Sequence, residues 1–438
     1  MLRICAALAC LVFAPPAVNA QELRRSGFVG VSVQQIPEDV RADLGIPAGI
    51  GVSVQGVIAG ASAAAAGIRP NDVITQIGDH TVRGVTDFVD TVRPLRAGDV
   101  RTLLVRRARE RLTVQITIRP RPFERAPDVD VRYDSVTVDG SRRRTILTVP
   151  RQPGRLPAVL YISGIGCTSQ ESLDLSSNET KLLYGLTRAG FVTMRVEKSG
   201  MGDSEGPACN SPSADFHAEV RAYTAGLRAL KRYAFVDSDA VFLVGLSIGG
   251  VEAPLIAGAE PVRGLVVVNT VAKPLFEYLL DTRRRQLLLA RTMYDEIDRR
   301  MLLDERCNHR LLIAKQTPDA VTAEAPECTD YIAYPAPYTF MQEWADVNVA
   351  AAWKAVDCRV LILFGSSDFV STIADDPYLE QGINGFHPGR ASLQEIRGMD
   401  HGMNKAASME ESFSRTTDGV FDPAVLEATA AWLHRMIG

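Results

Sequence analysis

Five apolar runs punctuate the second two thirds of the chain: PAVLYISG (157–164), FVTMRVE (191–197), AVFLVG (240–245), GLVVVN (264–269) and RVLILFG (359–365). They are nearly continuous rather than alternating, as a parallel strand covered on both faces requires. Helix-compatible stretches separate them, so the pattern predicts a doubly wound, mostly parallel α/β sheet. SVTV (135–138) and RTILTVP (144–150) lead into it as a hairpin. Between GLVVVN and RVLILFG lies a largely helical insert, about 273–350. In it Leu275, Leu279, Leu280, Leu287 and Leu288 recur near helical spacing, so one apolar face is expected.

Residues 27–119 have a different rhythm. GFVGVSV and GIGVSVQGV are short strands, ASAAAAGI a small-residue helix, and RPNDVITQIGDHTV a turn, strand and turn. TDFVDTVRPL is a further helix, and VRTLLVRRARERLTVQITIRP supplies two closing strands. This segment resembles a PDZ domain of the bacterial, secreted-protease type, which runs from a GxxGV opening strand to an AGLxPGDxI turn. Gly27-Phe28-Val29-Gly30-Val31 matches the opening and Ala66-Gly67-Ile68-Arg69-Pro70-Asn71-Asp72-Val73-Ile74 the turn. Asn71 replaces a glycine, and asparagine tolerates the positive φ needed there. The usual proline near Ala63 is missing. The resemblance implies a small α+β domain in which Gly27, Phe28, Val29 and Gly30 hold a peptide's terminal carboxylate, with Phe28 closing the pocket for its last side chain. A packed module with an empty groove is the alternative, as is a fixed lid docked on the rest of the chain. RPRPFERAPD (119–128) reads as a linker, dividing the chain into 27–119, a linker at 120–130 and a second domain at 131–438.

Composition changes little in this picture. At 438 residues, 46% hydrophobic and 23% charged, the chain is long enough for two domains and a large core. A net charge of −4 gives no sign of a nucleic-acid surface, and the RRR triplets at 142–144 and 283–285 read as solvated faces. The start, MLRICAALACLVFAPPAVNAQELRR, has a charge at Arg3, an apolar stretch from Ile4 to Ala14 and small residues ending at Ala20. That is a secretory signal, expected to be cleaved near Ala20 and too short to span a bilayer. ALAC around Cys10 is a poor lipidation site because it comes too early and lacks a large apolar residue three positions before the cysteine. A periplasmic or secreted protein with no membrane span is expected. Five of the seven cysteines would remain after cleavage, and an oxidising compartment lets them pair. Cys167 and Cys209 fall in two loops that can be neighbours, Cys307 and Cys328 sit close in sequence, and Cys358 is left over. No C-x-x-C or H-E-x-x-H occurs, so no metal and no cofactor is expected.

The candidate chemistry centres on VFLVGLSIGGVEAPL (241–255), a strand, a tight turn and a helix around G-x-S-x-G. Such an elbow strains the serine backbone and lifts its side chain above the sheet. The next amide, on Ile248, is left pointing at a reacting carbonyl from a helix N-terminus. Ser247 is therefore the candidate nucleophile. A hydroxyl needs a base and an orienting acid, and in a strand-to-helix elbow fold these follow the serine as acid, then histidine. Asp368 lies just past the strand RVLILFG, and His401 follows a strand-like run between Gly398 and Gly402. His387 is the rival base. His80, His217, His309 and His434 fall in less suitable segments, and Asp375 and Asp376 lie further from the strand end. Gly164-Ile165-Gly166 after the first apolar run resembles the corresponding loop of the α/β-hydrolase family, usually His-Gly-Gly or His-Gly-x. RVEKSGMGDSEG (195–206) resembles that family's DxRGxGxS segment, with Glu197 structural. By position in the loop, Ile165 is the second oxyanion donor.

The resemblance implies a serine hydrolase with a cap. Tyr331, Tyr334, Tyr338, Phe340 and Trp344 towards the end of the insert either pack it on the sheet or line an acyl pocket. Two activities compete. One is hydrolysis of a small-molecule carboxylic ester through an acyl-enzyme, which is the favoured expectation. The other is an aminopeptidase-like activity, for which Glu296, Asp298, Glu305 or Glu324 would hold the substrate amine. A non-catalytic peptide-binding envelope protein is the alternative from another class, and it would need a defective triad.

Overall fold

The computed structural model describes residues 23–173, 175–371, 375–417 and 419–438. The signal segment with Cys5 and Cys10 lies outside the described residues. The first sheet is antiparallel, built from β1 (Val31–Gln34), β2 (Val52–Val57), β3 (Val73–Ile77), β4 (His80–Thr81), β5 (Val100–Arg107) and β6 (Glu110–Thr117). Its order is β1-β2-β3-β5-β6 with β4 on β3, which leaves β1 at an edge. Alternate residues such as Val52, Val54, Leu103 and Val105 pack with Phe88 of the helix Val85–Val92 to make a small core. Asn71 takes the left-handed conformation its turn requires, with φ +70°.

The second sheet contains β7 (Val129–Val138), β8 (Ser141–Pro150), β9 (Leu156–Ile162), β10 (Val192–Val196), β11 (Val236–Leu246), β12 (Gly264–Val268), β13 (Arg359–Gly365) and β14 (Ala391–Ile396). Its order is β14-β13-β12-β11-β9-β10-β8-β7. The hairpin β7–β8 is antiparallel, and β9 to β14 run parallel. Each apolar run is divided by the two-residue period of a strand. Leu160 and Ile162 meet Leu227, Ile256 and Trp353 on one face, and Val159 and Tyr161 meet Leu183, Trp432 and Leu433 on the other. From β9 the chain passes to β10 on one side and then to β11 on the other. The carboxyl ends of β9 and β11 therefore flank a topological switch point, where open α/β sheets form a ligand crevice.

The helices Leu275–Leu289, Tyr294–Asn308 and Tyr338–Ala345 occur between β12 and β13. In the first, Leu275 and Leu287 are buried but Leu288 is 59% exposed. Leu288 stands about 100° round the helix from the buried Leu287, so the apolar face is narrower than the leucine spacing predicts. Phe340 and Trp344 pack with Ile248, Val251 and Val271 in one core, and Tyr331, Tyr334 and Tyr338 border it. Residues 120–130, expected as a linker, are mostly exposed but are pinned at Glu124. The buried Glu124 takes both Arg195 guanidinium nitrogens at 2.8 Å and the Tyr184 hydroxyl at 2.9 Å, and β7 already begins at Val129.

Candidate active site

Ser247 follows β11 directly and has φ +56°, a left-handed conformation that serine rarely adopts. Glycines make the turn possible. A Cβ on Gly245 would lie 2.4 Å from the Gly249 carbonyl oxygen, and one on Gly249 would lie 2.3 Å from that of Ile162. Gly250 is equally constrained, 2.1 Å from Thr270 Oγ1, and Thr270 in turn donates to the Ser247 carbonyl at 2.9 Å. The strain is thus held by the ends of β9, β11 and β12 together.

Asp368 follows β13 and His401 follows β14, and the two meet: His401 Nδ1 is 2.8 Å from Asp368 Oδ2. Asp368 is fully buried. It also accepts the Val370 amide at 2.7 Å, the Ser371 amide at 3.1 Å and the Ser371 hydroxyl. Burial pulls the His401 imidazole down, but the Asp368 carboxylate more than reverses this, so its pKa stands above the ordinary 6.5. Ser247 and His401 line one cavity of about 850 Å³. No hydrogen bond joins them among the described residues, a contact that commonly tightens only when substrate is bound.

Ser163, Gly164 and Ile165 line the same cavity. A Cβ on Gly164 would stand 3.7 Å from that of Ser247, so the loop lies against the serine. Among the described residues the amides of Ile165 and Ile248 donate to no acceptor, whereas the Ser247 amide is bound to the Val268 carbonyl at 2.9 Å. Cys167, two residues beyond Ile165, is joined to Cys209 with Cα atoms 5.6 Å apart. Cys307 is likewise joined to Cys328, and Cys358 is a half-buried free thiol.

The rival side chains lie elsewhere. His387 precedes β14, at the end of the strands opposite Ser247, and contacts the Lys354 carbonyl at 2.9 Å. Asp375 faces Lys273 at 3.4 Å, and burial raises the neighbouring Asp376 to about 8. His217 starts the helix Phe216–Leu230, His309 lies against Phe276, His434 against Phe191, and His80 pairs with Asp87. Glu197 is buried, accepts the Ser169 hydroxyl at 2.5 Å and the Gln170 amide at 3.0 Å, and is raised by burial to about 7. In the first domain the amides of Gly27 and Phe28 are already bound to the Leu95 and Arg119 carbonyls. Those of Val29 and Gly30 have no acceptor among the described residues. Phe28 lines the cavity that holds Ser247.

Two supporting residues escaped the sequence reading. Asn269, buried just after β12, donates to the Asp400 and His401 carbonyls at 2.9 and 3.1 Å and accepts the Gly365 amide at 2.9 Å. It ties the Asp368 and His401 loops together, and its signal was a polar residue ending an apolar run. Lys198 donates to the Gly164 carbonyl at 2.8 Å while paired with Glu219 at 2.8 Å. Nothing local marks it.

Residues 159–412, more than half of the chain, match the alpha/beta hydrolase family. The chain belongs to that family. Residues 27–118 of this hydrolase match the PDZ domain. The protein is 20% identical over 299 residues to the esterase EstD of Thermotoga maritima, covering 68% of this chain and 66% of EstD. It is 28% identical over 134 residues to a probable periplasmic serine endoprotease, DegP-like, of Brucella suis, covering 30% of this chain and 26% of that one. The hydrolase thus spans just under two thirds of the esterase and about a quarter of the protease. Among solved structures it is similar to Est1E from Butyrivibrio proteoclasticus, at 15% identity, a TM-score of 0.45 and coverage of 70% and 98% of the two chains. No helix of the described residues is long and apolar enough to cross a membrane.

Proposed function

We propose that this protein is an exported serine hydrolase that cleaves carboxylic esters through an acyl-enzyme on Ser247. The observation that supports this is that His401, paired with the buried Asp368, lines the same cavity as Ser247. His401 Nε2 takes the Ser247 proton as its oxygen attacks the ester carbonyl, and Asp368 holds the imidazole by Nδ1. The oxyanion settles against the Ile165 and Ile248 amides, which have no other acceptor among the described residues. His401 then returns the proton to the leaving alcohol, and water repeats the sequence on the acyl-enzyme. Two disulfides suit an oxidising compartment.

A peptidase of the same mechanism has less support. Glu296 pairs with Arg299 and Arg300, Asp298 with Arg284 and Glu324 with Arg310; neither these nor Glu305 line the Ser247 cavity. The test is fluorophosphonate labelling, followed by a panel of p-nitrophenyl esters beside aminoacyl p-nitroanilides. Labelling of wild type and not of Ser247→Ala, with turnover of esters only, is expected. Turnover confined to anilides would make it a peptidase, and absent labelling a binding protein.

The PDZ domain is proposed to take an extended peptide on the open edge of β1, with the terminal carboxylate on the Val29 and Gly30 amides. Amidating the C-terminus of a binding peptide should then weaken its affinity for the whole protein.

A further inference from the structure

The Ser247 cavity is not lined by the insert, which is the part of the chain expected to cover it. Among the described residues none from 273–350 lines this cavity; its outer wall carries Phe28, Ile58 and Arg121. Ile58 follows β2 and is 52% exposed, with its side chain on the cavity. Its amide donates to the Gly30 carbonyl at 2.9 Å, which seats it beside the loop that carries Phe28. The Arg121 guanidinium is 6.0 Å from the centre of the Phe28 ring.

A clamp of buried charges holds this wall against the hydrolase sheet. The Ser26 amide and the Arg25 guanidinium bind the Asp203 carboxylate at 2.6 and 2.8 Å, and Arg144 meets the same carboxylate at 3.0 Å. Glu171 takes Arg25 on one oxygen and Arg121, at 2.8 Å, on the other. Asp203 and Glu171 are buried almost completely. Carboxylates withdrawn from water need their partners in place, so each arginine matters while the domain is docked.

We infer that the PDZ domain is a fixed part of the hydrolase site. Phe28 and Ile58 form its specificity wall, and the substrate is an ester with an extended apolar group that reaches from Ser247 to these two side chains. This rests on the serine-hydrolase function proposed above. The cavity volume of about 850 Å³ greatly exceeds what an acetyl ester fills, and Phe28, Ile58, Ile165, Leu173 and Leu246 are the apolar side chains on a lining otherwise rich in Ser, Thr and charged residues.

The experiment compares kcat/KM for p-nitrophenyl decanoate and p-nitrophenyl acetate in the full chain, for wild type, Phe28→Ala, Ile58→Ala and the double variant. The decanoate-to-acetate ratio is expected to fall about tenfold or more in the double variant, because the long chain alone loses the apolar contact. Ile58→Ala should lower it in the same direction, and so exposed a side chain can be removed without opening a core. Fluorophosphonate labelling of Ser247 should persist in every variant. An unchanged ratio in labelled protein overturns the inference, as does an equal loss on both esters. Failure of wild type to label overturns the hydrolase function itself, and the inference with it.

Discussion

The helical insert and the PDZ domain both flank the candidate active site, and they are attached by opposite means. The insert is fused through an apolar core: Leu275, Tyr278, Phe340, Met341 and Trp344 pack with Ile248 and Val251 just behind Ser247. The PDZ domain is attached through the residues that flank it, Arg25 and Arg121, paired with Asp203 and Glu171, while its Arg96 reaches the Ser204 carbonyl at 3.5 Å. Apolar contact is non-directional and tolerates repacking, whereas hydrogen-bonded ion pairs impose an angle and a register. The insert therefore supports the elbow from behind, while the more polar attachment orients a wall in front.

The largest expected effect removes what the two neighbours share. Ser247→Ala should lower kcat by about a thousandfold or more in p-nitrophenyl ester assays, and His401→Ala should match it. His387→Ala should remain within a few-fold of wild type; the reverse pattern would transfer the base to His387.

Stability separates the two attachments. Phe340→Ala, in the insert core, is expected to cost about 3–5 kcal/mol by urea denaturation. Arg25→Ala should cost about 3 kcal/mol by leaving part of two buried carboxylates unpaired. An Arg25→Ala variant as stable as wild type would mean that the clamp does not hold the PDZ domain. Removing the Cys307–Cys328 bridge, which closes a 21-residue separation inside the insert, should cost about 3 kcal/mol by loop entropy. That loss should appear in the unfolding of the Cys307→Ser, Cys328→Ser double variant and leave the decanoate-to-acetate ratio unmoved.

The smallest effect is one of pH. His401 must be neutral to accept the Ser247 proton, and its pKa is raised, so activity should fall on acidification through a value above 6.5. Stability should run the other way. A protonated His401 favours the folded state below 6.5, and that contribution is lost as pH rises through its folded value. Glu197, raised to about 7, and Asp376, raised to about 8, likewise favour folding when protonated and lose that contribution as pH rises through those values. Between about pH 6 and 8 activity should increase while the urea midpoint decreases; a parallel rise in both would reject the assignment.

The candidate site could be read from sequence because its parts carry local marks. Ser247, Asp368 and His401 each stand just after a buried strand, where apolar run gives way to glycine and polar residues, and strand order then gathers them at one end of the sheet. Asn269 carried a weaker mark of the same kind. Lys198 and Glu124 carried none, because a buried charge is recognised by its partner and not by its neighbours in sequence. The leucines of the insert are a weaker guide, since Leu288 keeps a near-helical spacing yet is exposed.

By itself the sequence determined two sheets of different kinds, the strand-to-helix elbow and the chain order of serine, acid and histidine, since strand and turn preferences act over a few residues. Only the tertiary structure decided which surface faces Ser247. Phe28 and Ile58 reach the cavity because Arg25 and Arg121 find Asp203 and Glu171 far along the chain. Charge pairing over such separations has no period and leaves no pattern in sequence, and its geometry exists only once both sheets have folded.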